Sequence, residues 1–442
     1  MNPLTNSLAE PLQLLEEAGF DGNANADLAR LARMLQVAYG ALAFAEGHGL
    51  ETYDTMDFKG TKILLWTYTK GTFLARLLRL TLFGGAYLAP IRMRKLLGVK
   101  RSRLPQAAAA LASTYLELSN LTSEDLWILR AKSLLQWLEQ NSAESPVGES
   151  WGLPFPWFTY AGVVPPSVGN AHSTVWAANA FFSYYGATRD PWALEHSIRA
   201  CDFLAYGLNP AERSSGSLAI SYTPMDRSQC INVNADAASF LLRVGKATAR
   251  AEYRDIARRI VRFVVEIQKP DGSWYYDEFV PGVRRVPFID GFHTAMVLSA
   301  LTQIVSELHE VPDLKKDCEA ALNKGLAFYL QNLFAPDGRP RYDMRRLYPL
   351  DSYSCGQAIN TLIDAADCAA VDIRLREKIV ALLPKVVDQT LNLMLDSDGS
   401  FFTARYRLRI FRLKSLRWAQ AVLALAFVRY SRFLLLRLKA PN

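Results

Sequence analysis

The chain has 442 residues, 50% of them hydrophobic, and carries 50 Lys and Arg against 43 Asp and Glu for a net charge of +7. This is an ordinary globular composition, long enough for a large core, and so mild an excess of charge without any recognition motif argues against nucleic acid as a partner. Cys201, Cys230, Cys318, Cys355 and Cys368 lack any short paired spacing, which favours reduced thiols over a disulfide framework or a zinc site.

The first twenty residues, MNPLTNSLAEPLQLLEEAGF, are acidic and amphipathic, with no basic stretch leading into an apolar run. No secretory signal is expected, and a cytoplasmic location follows, with contact at the inner membrane an option. Residues 1–100 read as an N-terminal helical extension packing on the main body; their clearest helical pattern lies at 26–45. Gly71 to Val99 is Leu-rich, but its longest uninterrupted apolar run, Leu80 to Ile91, is too short for the roughly 20 residues a spanning helix needs. A basic helix of this type either packs on the body or lies peripherally on an anionic membrane face. Two basic clusters, Arg92–Arg103 and Arg405–Lys439, read as solvated helix faces or as docking surface.

From about Pro105 long helical segments alternate with loops rich in Gly, Pro and aromatics. Six segments share small residues, one or two amides or acids at the start, and then an apolar run. They begin near residues 104, 169, 231, 288, 350 and 413. Five more amphipathic helices lie between them, each with apolar residues at i, i+3, i+4 and i+7 and charges opposite. Three of these end in an Asp-Gly turn, at Gly272, Gly338 and Gly399, a spacing of about 60 to 66 residues that fits one helical hairpin plus its loop. The expected fold is therefore all-α, an (α/α)6 toroid over residues 101–442. Six inner and five outer helices leave one outer slot, which an N-terminal helix can fill.

In such a ring the loops leading into the inner helices gather at one end, where helix dipoles favour anionic groups. The second loop supplies Trp151, Trp157, Phe158 and Tyr160 as stacking platforms or loop anchors, and Asn170 and His172 open the helix after it. The third inner helix offers Asn232, Asn234 and Asp236, of which one is a cap. The fourth offers Asp290 and His293, three apart on one face, as an acid/base pair, with Trp274 upstream. Asp351 and Tyr353 come from the fifth and Arg417 from the sixth, the arginine suited to clamp a substrate carboxylate. Catalytic roles are expected for Asp290, His293 and Asp351. Substrate contacts are expected for Trp151, Trp157, Asn170, His172, Asp236, Trp274, Tyr353 and Arg417. There is no phosphate loop, His-Glu-x-x-His, Gly-x-Ser-x-Gly or Cys/His cluster, so neither metal nor cofactor is expected.

The loops WGLPFPWF, VGNAH, DGSWYY, FIDGFHTAMVL, YPLDSYSCGQAI, DGSFF and RWAQA occur in an order that resembles bacterial exopolysaccharide biosynthesis proteins of the VpsJ type, in the six-hairpin glycosidase-like group. Pro156 and Tyr353 depart from that pattern, where relatives often carry an acid and a histidine. The resemblance, over roughly Leu80 to Arg432, implies the toroid and a role in making or modifying a surface polysaccharide. The expected function is acid/base chemistry on an anionic glycan or its lipid-linked precursor, by a lyase, epimerase or hydrolase. The alternatives are a non-catalytic glycan-binding or assembly protein at the membrane face, and a terpenoid-cyclase-like enzyme. The last is suggested by Gln268-x-x-x-Gly272-x-Trp274, a motif shared with triterpene cyclases, but their Asp-x-Asp-Asp acid is missing.

Overall fold

The computed structural model describes residues 22–159, 162–278 and 288–439; the first twenty residues and Tyr160 lie outside them. Six helices form an inner ring: α5 (Pro105–Thr122), α7 (Ala171–Thr188), α9 (Ile231–Ala247), α11 (Gly291–Val305), α13 (Ser352–Asp367) and α15 (Ala421–Lys439). Each packs on the next, and α15 packs back on α5, so the ring closes. Alanine recurs on the packed faces of these helices, as at Ala107, Ala108, Ala109, Ala110 and Ala112 of α5 and Ala171, Ala177, Ala178 and Ala180 of α7, all buried. Small side chains let neighbouring backbones approach on two sides at once, which a ring of helices requires.

The outer layer is α6 (Asp125–Gln140), α8 (Pro191–Tyr206), α10 (Ala251–Glu266), α12 (Pro312–Asn332) and α14 (Ile373–Met394), each packed against the inner helix before it. Helix α1 (Gly22–Gly47) lies along α15 and takes the sixth outer place. Gly272 and Gly399, at φ +92° and +79°, show why. A side chain is disfavoured at that φ, and a Cβ on Gly272 would meet the Lys324 carbonyl of the next outer helix at 2.5 Å. Gly399 makes the equivalent close approach to Gly40 of α1, where a Cβ on Gly40 would lie 2.7 Å from the Gly399 carbonyl. The same turn thus seats on the next outer helix at both positions, and at the second of them that helix is α1. Its Leu31, Met34, Leu35 and Leu42 join the core shared by all twelve ring helices. These contacts count α1 with the ring, not with an extension that ends at residue 100.

Residues 57–97 form α2 (Lys62–Thr69), α3 (Phe73–Leu88) and α4 (Pro90–Leu96), with a small core of their own built on Phe58, Leu64, Leu82 and Ala86. None of the described helices is long and apolar enough to cross a membrane. Short antiparallel strands bind the loops together: β1 (Trp157–Thr159) with β2 (Gly162–Val164), β3 (Pro210–Glu212) with β4 (Leu218–Ile220), β5 (Gln229–Cys230) with β6 (Asp277–Glu278), and β7 (Leu350–Asp351) with β8 (Ala404–Arg405) and β9 (Ile410–Phe411).

The extension is tied to the ring by buried charge. Arg94 of α4 donates from Nε to Asp57 Oδ1 at 2.8 Å and from Nη2 to the Asp54 carbonyl at 2.6 Å. The Asp54 carboxylate accepts two bonds from Arg417, from Nε at 2.9 Å and Nη2 at 2.6 Å, across 363 residues of chain. Arg417 Nη1 reaches Gln106 of α5 at 2.9 Å. Burial would raise the Asp54 pKa, but Arg417 beside it holds it below the ordinary carboxylate range. Removing one partner of a buried ion pair strands the other, so Asp54→Ala should destabilise by about 3–5 kcal/mol in chemical denaturation at neutral pH. Because the folded pKa is depressed, this contribution is complete above the unfolded value of about 3.9 and is lost as pH falls through the folded one. An Asp54→Ala variant as stable as the parent at pH 7 would show that the pair contributes nothing.

Candidate active site

The inner helices all begin at one end of the ring, and a single register rule places their side chains there. The N-caps are Leu104, Asn170, Cys230, Asp290, Asp351 and, for the π-turn Leu416–Gln420 that leads into α15, Ser415. The second residue after each cap is Gln106, His172, Asn232, Phe292, Tyr353 or Arg417, and all six line one cavity of about 460 Å³. Three residues at the following position, Ser173, His293 and Trp418, line it too. Three of the polar caps each give one oxygen to the backbone: Asn170 Oδ1 accepts from Ser173 N at 2.8 Å, Asp290 Oδ1 from His293 N at 2.6 Å, and Asp351 Oδ1 from Ser354 N at 2.7 Å.

The Asp290–His293 pair forms as its spacing suggests. The second carboxylate oxygen of Asp290 holds His293 Nδ1 at 2.5 Å, which leaves Nε2 of this part-exposed ring for the cavity. Tyr276 and Phe292 pack on the imidazole at ring-centre distances of 4.4 and 4.6 Å. His172 differs sharply. Its Nδ1 is buried without a protein partner, and burial, helped by the nearby charges of Arg417 and His293, lowers its pKa to about 3. The site therefore contains two imidazoles in opposed environments, one held by an acid and one kept neutral.

Six buried polar atoms on this wall have no protein hydrogen-bond partner: Trp157 Nε1, His172 Nδ1, Ser173 Oγ, Asn232 Oδ1, Tyr353 Oη and Trp418 Nε1. Buried polar groups are normally satisfied, so such a concentration marks a surface shaped for a polar ligand. Around them stand Phe158, Tyr222, Tyr276 and Phe292, with Tyr353 packed between Phe292 at 4.7 Å and Trp418 at 5.2 Å. Burial raises the pKa values of Tyr353 and Tyr222 and pushes the Cys230 thiol up to about 12, so all three stay protonated. Among the described residues no Asp or Glu lines the cavity, and the segments 160–161 and 279–287 contain none.

Several sequence expectations are corrected here. Trp151 is fully buried with Nε1 on the Leu138 carbonyl at 2.8 Å, and Trp274 is buried with Nε1 on the Val264 carbonyl at 2.9 Å. Both are core anchors and neither reaches the cavity. Asp236 stands six residues past its cap, more than a turn deeper, and lines a separate cavity of about 370 Å³ farther along the ring's lumen with Arg243, Asp364 and Arg429. Asp351 does not line the main cavity; Ser354 occupies both its oxygens, and burial raises its pKa against those bonds. Arg417 does line it, but its fork is filled by Asp54, so the expected clamp for a substrate carboxylate is already closed. Sequence reasoning missed Gln106, Tyr222, Cys230 and Asp54. Gln106 was within reach of the cap-plus-two rule, whereas nothing local signals Asp54, whose partner comes from the far end of the chain.

No family model matches the sequence, and no curated protein does. Solved structures do. The cellobiose 2-epimerase of Spirochaeta thermophila DSM 6192 aligns with a TM-score of 0.58 and 12% identity, over 76% of this chain and 87% of that one. The GH76 α-mannanase of Bacteroides thetaiotaomicron aligns at 0.55 and 14%, over 75% and 88%. A polysaccharide lyase aligns at 0.53 and 11%, over 76% and 91%. At such identities the likeness concerns the fold: this chain has an (α/α)6 toroid.

Proposed function

We propose that this chain is a carbohydrate-active enzyme that moves a proton at a sugar carbon, as an epimerase or lyase does, with His293 as the base. The observation that carries the reading is the wall itself: six polar atoms without a protein partner among edge-on and tilted aromatics, with two imidazoles and, among the described residues, no carboxylate. Sugar rings offer hydroxyl groups around their rim and C–H bonds on their faces, the pattern that such a wall complements. The solved structures of similar fold act on carbohydrates by their printed names, cellobiose 2-epimerase, α-mannanase and polysaccharide lyase among them.

Between the reaction types, hydrolysis needs two carboxyl groups flanking the bond to be cut, and among the described residues none lines the wall. Proton transfer needs an oriented base and a group that stabilises the developing negative charge. Asp290 orients His293, as a carboxylate behind an imidazole does elsewhere. His172, Tyr353 and the two indole N–H groups are neutral hydrogen-bonding partners for a carbonyl or enolate oxygen. Arg417 stands in the wall with its fork filled by Asp54, so it is not the clamp for a substrate carboxylate that the sequence suggests. A place in polysaccharide biosynthesis, with a lipid-linked glycan as substrate, fits the loop resemblance to exopolysaccharide proteins and belongs to this proposal.

The decisive experiment incubates the protein in deuterated water with a panel of reducing and uronate-containing oligosaccharides. NMR should show deuterium entering a ring or C2 position, or an unsaturated product. Asp290→Asn keeps the helix cap but removes the charge behind the imidazole; it and His293→Asn should lower turnover by about 10²–10⁴-fold. Saturable glycan binding by calorimetry, without exchange or product, would replace the enzyme with a glycan-binding protein.

His172 gives a separate test. Its folded pKa lies below the unfolded value of about 6.5, so the unfolded chain takes up a proton first and stability falls as pH drops below 6.5. Its contribution to that fall between pH 6.5 and 5 should be about 1–2 kcal/mol. It should be missing in His172→Asn, and the imidazole should remain neutral by NMR at pH 5. Protonation of His172 near pH 6 would contradict its buried setting.

A further inference from the structure

Ten of the nineteen large hydrophobic side chains exposed on the described surface fall between Ile63 and Leu96, so the exposed apolar area is concentrated on the small α2–α4 extension. On α3, Phe73, Leu77, Leu80 and Leu88 follow helical spacing along one side, with Phe73 80% and Leu80 69% exposed, while Ala75, Leu82 and Ala86 are buried on the other. Trp66 of α2 and Leu96 of α4 are exposed as well. Contiguous exposed apolar surface of this kind marks an interaction site.

The charge around it has one sign. No Asp or Glu occurs between residues 58 and 116, and none after Asp398. Lys62, Lys70, Arg76, Arg92 and Lys95 are exposed on the extension. The β8–β9 hairpin brings its own group: Arg405, Arg407, Arg409 and Arg412 share a hollow with Leu88 and Pro90, and Leu408 at the tip is 96% exposed between two of those arginines. The hairpin is fixed to α3 by Arg409 donating to the Leu88 carbonyl and by Tyr87 against Tyr406 at 4.7 Å. Among the described residues none of these nine cations makes an ion pair.

We propose that α2–α4 and the β8–β9 hairpin form one face that docks on an anionic phospholipid bilayer. Apolar side chains that enter the headgroup boundary, ringed by cations that meet lipid phosphates, are what such a surface requires. A second copy of the chain is a poor occupant, since joining two such faces would press like charges together with no acid between them. The docked face adjoins the cavity: Tyr68 packs on Phe158 at 4.2 Å, and Phe158 and Met56 line the wall. Docking would therefore hold the mouth at the membrane, where a lipid-linked glycan presents its sugar; this last point alone rests on the proposed function.

The test is co-sedimentation of the full-length protein with vesicles of phosphatidylglycerol and phosphatidylcholine, or of phosphatidylcholine alone. Binding is expected only to the anionic vesicles and should weaken at least about tenfold at high salt. Each lost surface cation contributes about fivefold, so Arg407→Ser/Arg409→Ser/Arg412→Ser should weaken binding about a hundredfold. Phe73→Ser/Leu77→Ser/Leu80→Ser should do so at least tenfold, with both triple variants keeping the parent's circular dichroism. Absent or salt-insensitive binding, or equal binding to phosphatidylcholine alone, overturns the proposal. Unchanged binding by both variants also overturns it, as does concentration-dependent dimerisation that the apolar variant abolishes. Because no sugar enters the assay, its failure leaves the proton-transfer reading standing, and the deuterium experiment can fail without touching this one.

Discussion

Arg417 carries a full charge into the place where the ring closes, and the surrounding structure is organised to compensate for it. A buried guanidinium without a partner would be untenable. Asp54 supplies the partner, Gln106 takes a third bond, and Arg94 with Asp57 holds the short segment that carries Asp54. One network thus joins the last inner helix, the first inner helix and the extension. It also sets the electrostatics of the cavity, because the same charge lowers the pKa of His172 and opposes the rise at Tyr353. The π-turn at Leu416–Gln420 is the local adjustment that puts Arg417 in this position.

The cavity follows from a geometric regularity and not from a motif. Closing six helices into a ring directs their first turns inward at one end, and the residue two past each cap then faces the axis. Polar caps occupy themselves with backbone N–H groups, so the chemistry passes to their neighbours in sequence. The six positions are scattered over more than 300 residues, and two of them, Gln106 and Arg417, also serve the buried network that closes the ring.

The outer and inner layers were legible in the sequence for a physical reason. Apolar spacing at three and four residues and Asp-Gly turns with φ above zero are local requirements, and local requirements leave local traces. The Asp290–His293 pair was legible too, because residues three apart at a helix start must share a face. Trp151 and Trp274 misled the reading because an aromatic in a loop looks the same whether it stacks on a ligand or anchors the loop by an indole hydrogen bond. Asp236 misled it because helical phase alone does not report depth along the lumen.

What the sequence by itself determined is therefore the repeat, the helical class and the contact between Asp290 and His293, all products of interactions within a few residues. Tertiary structure alone decided which polar atoms remain unpartnered, that Arg417 spends its fork on Asp54, and that the basic Leu-rich extension stands beside the cavity mouth with its apolar side outward. Those outcomes depend on partners hundreds of residues apart, and the energy of a buried charge or an unsatisfied donor has no meaning until the chain has brought its surroundings together.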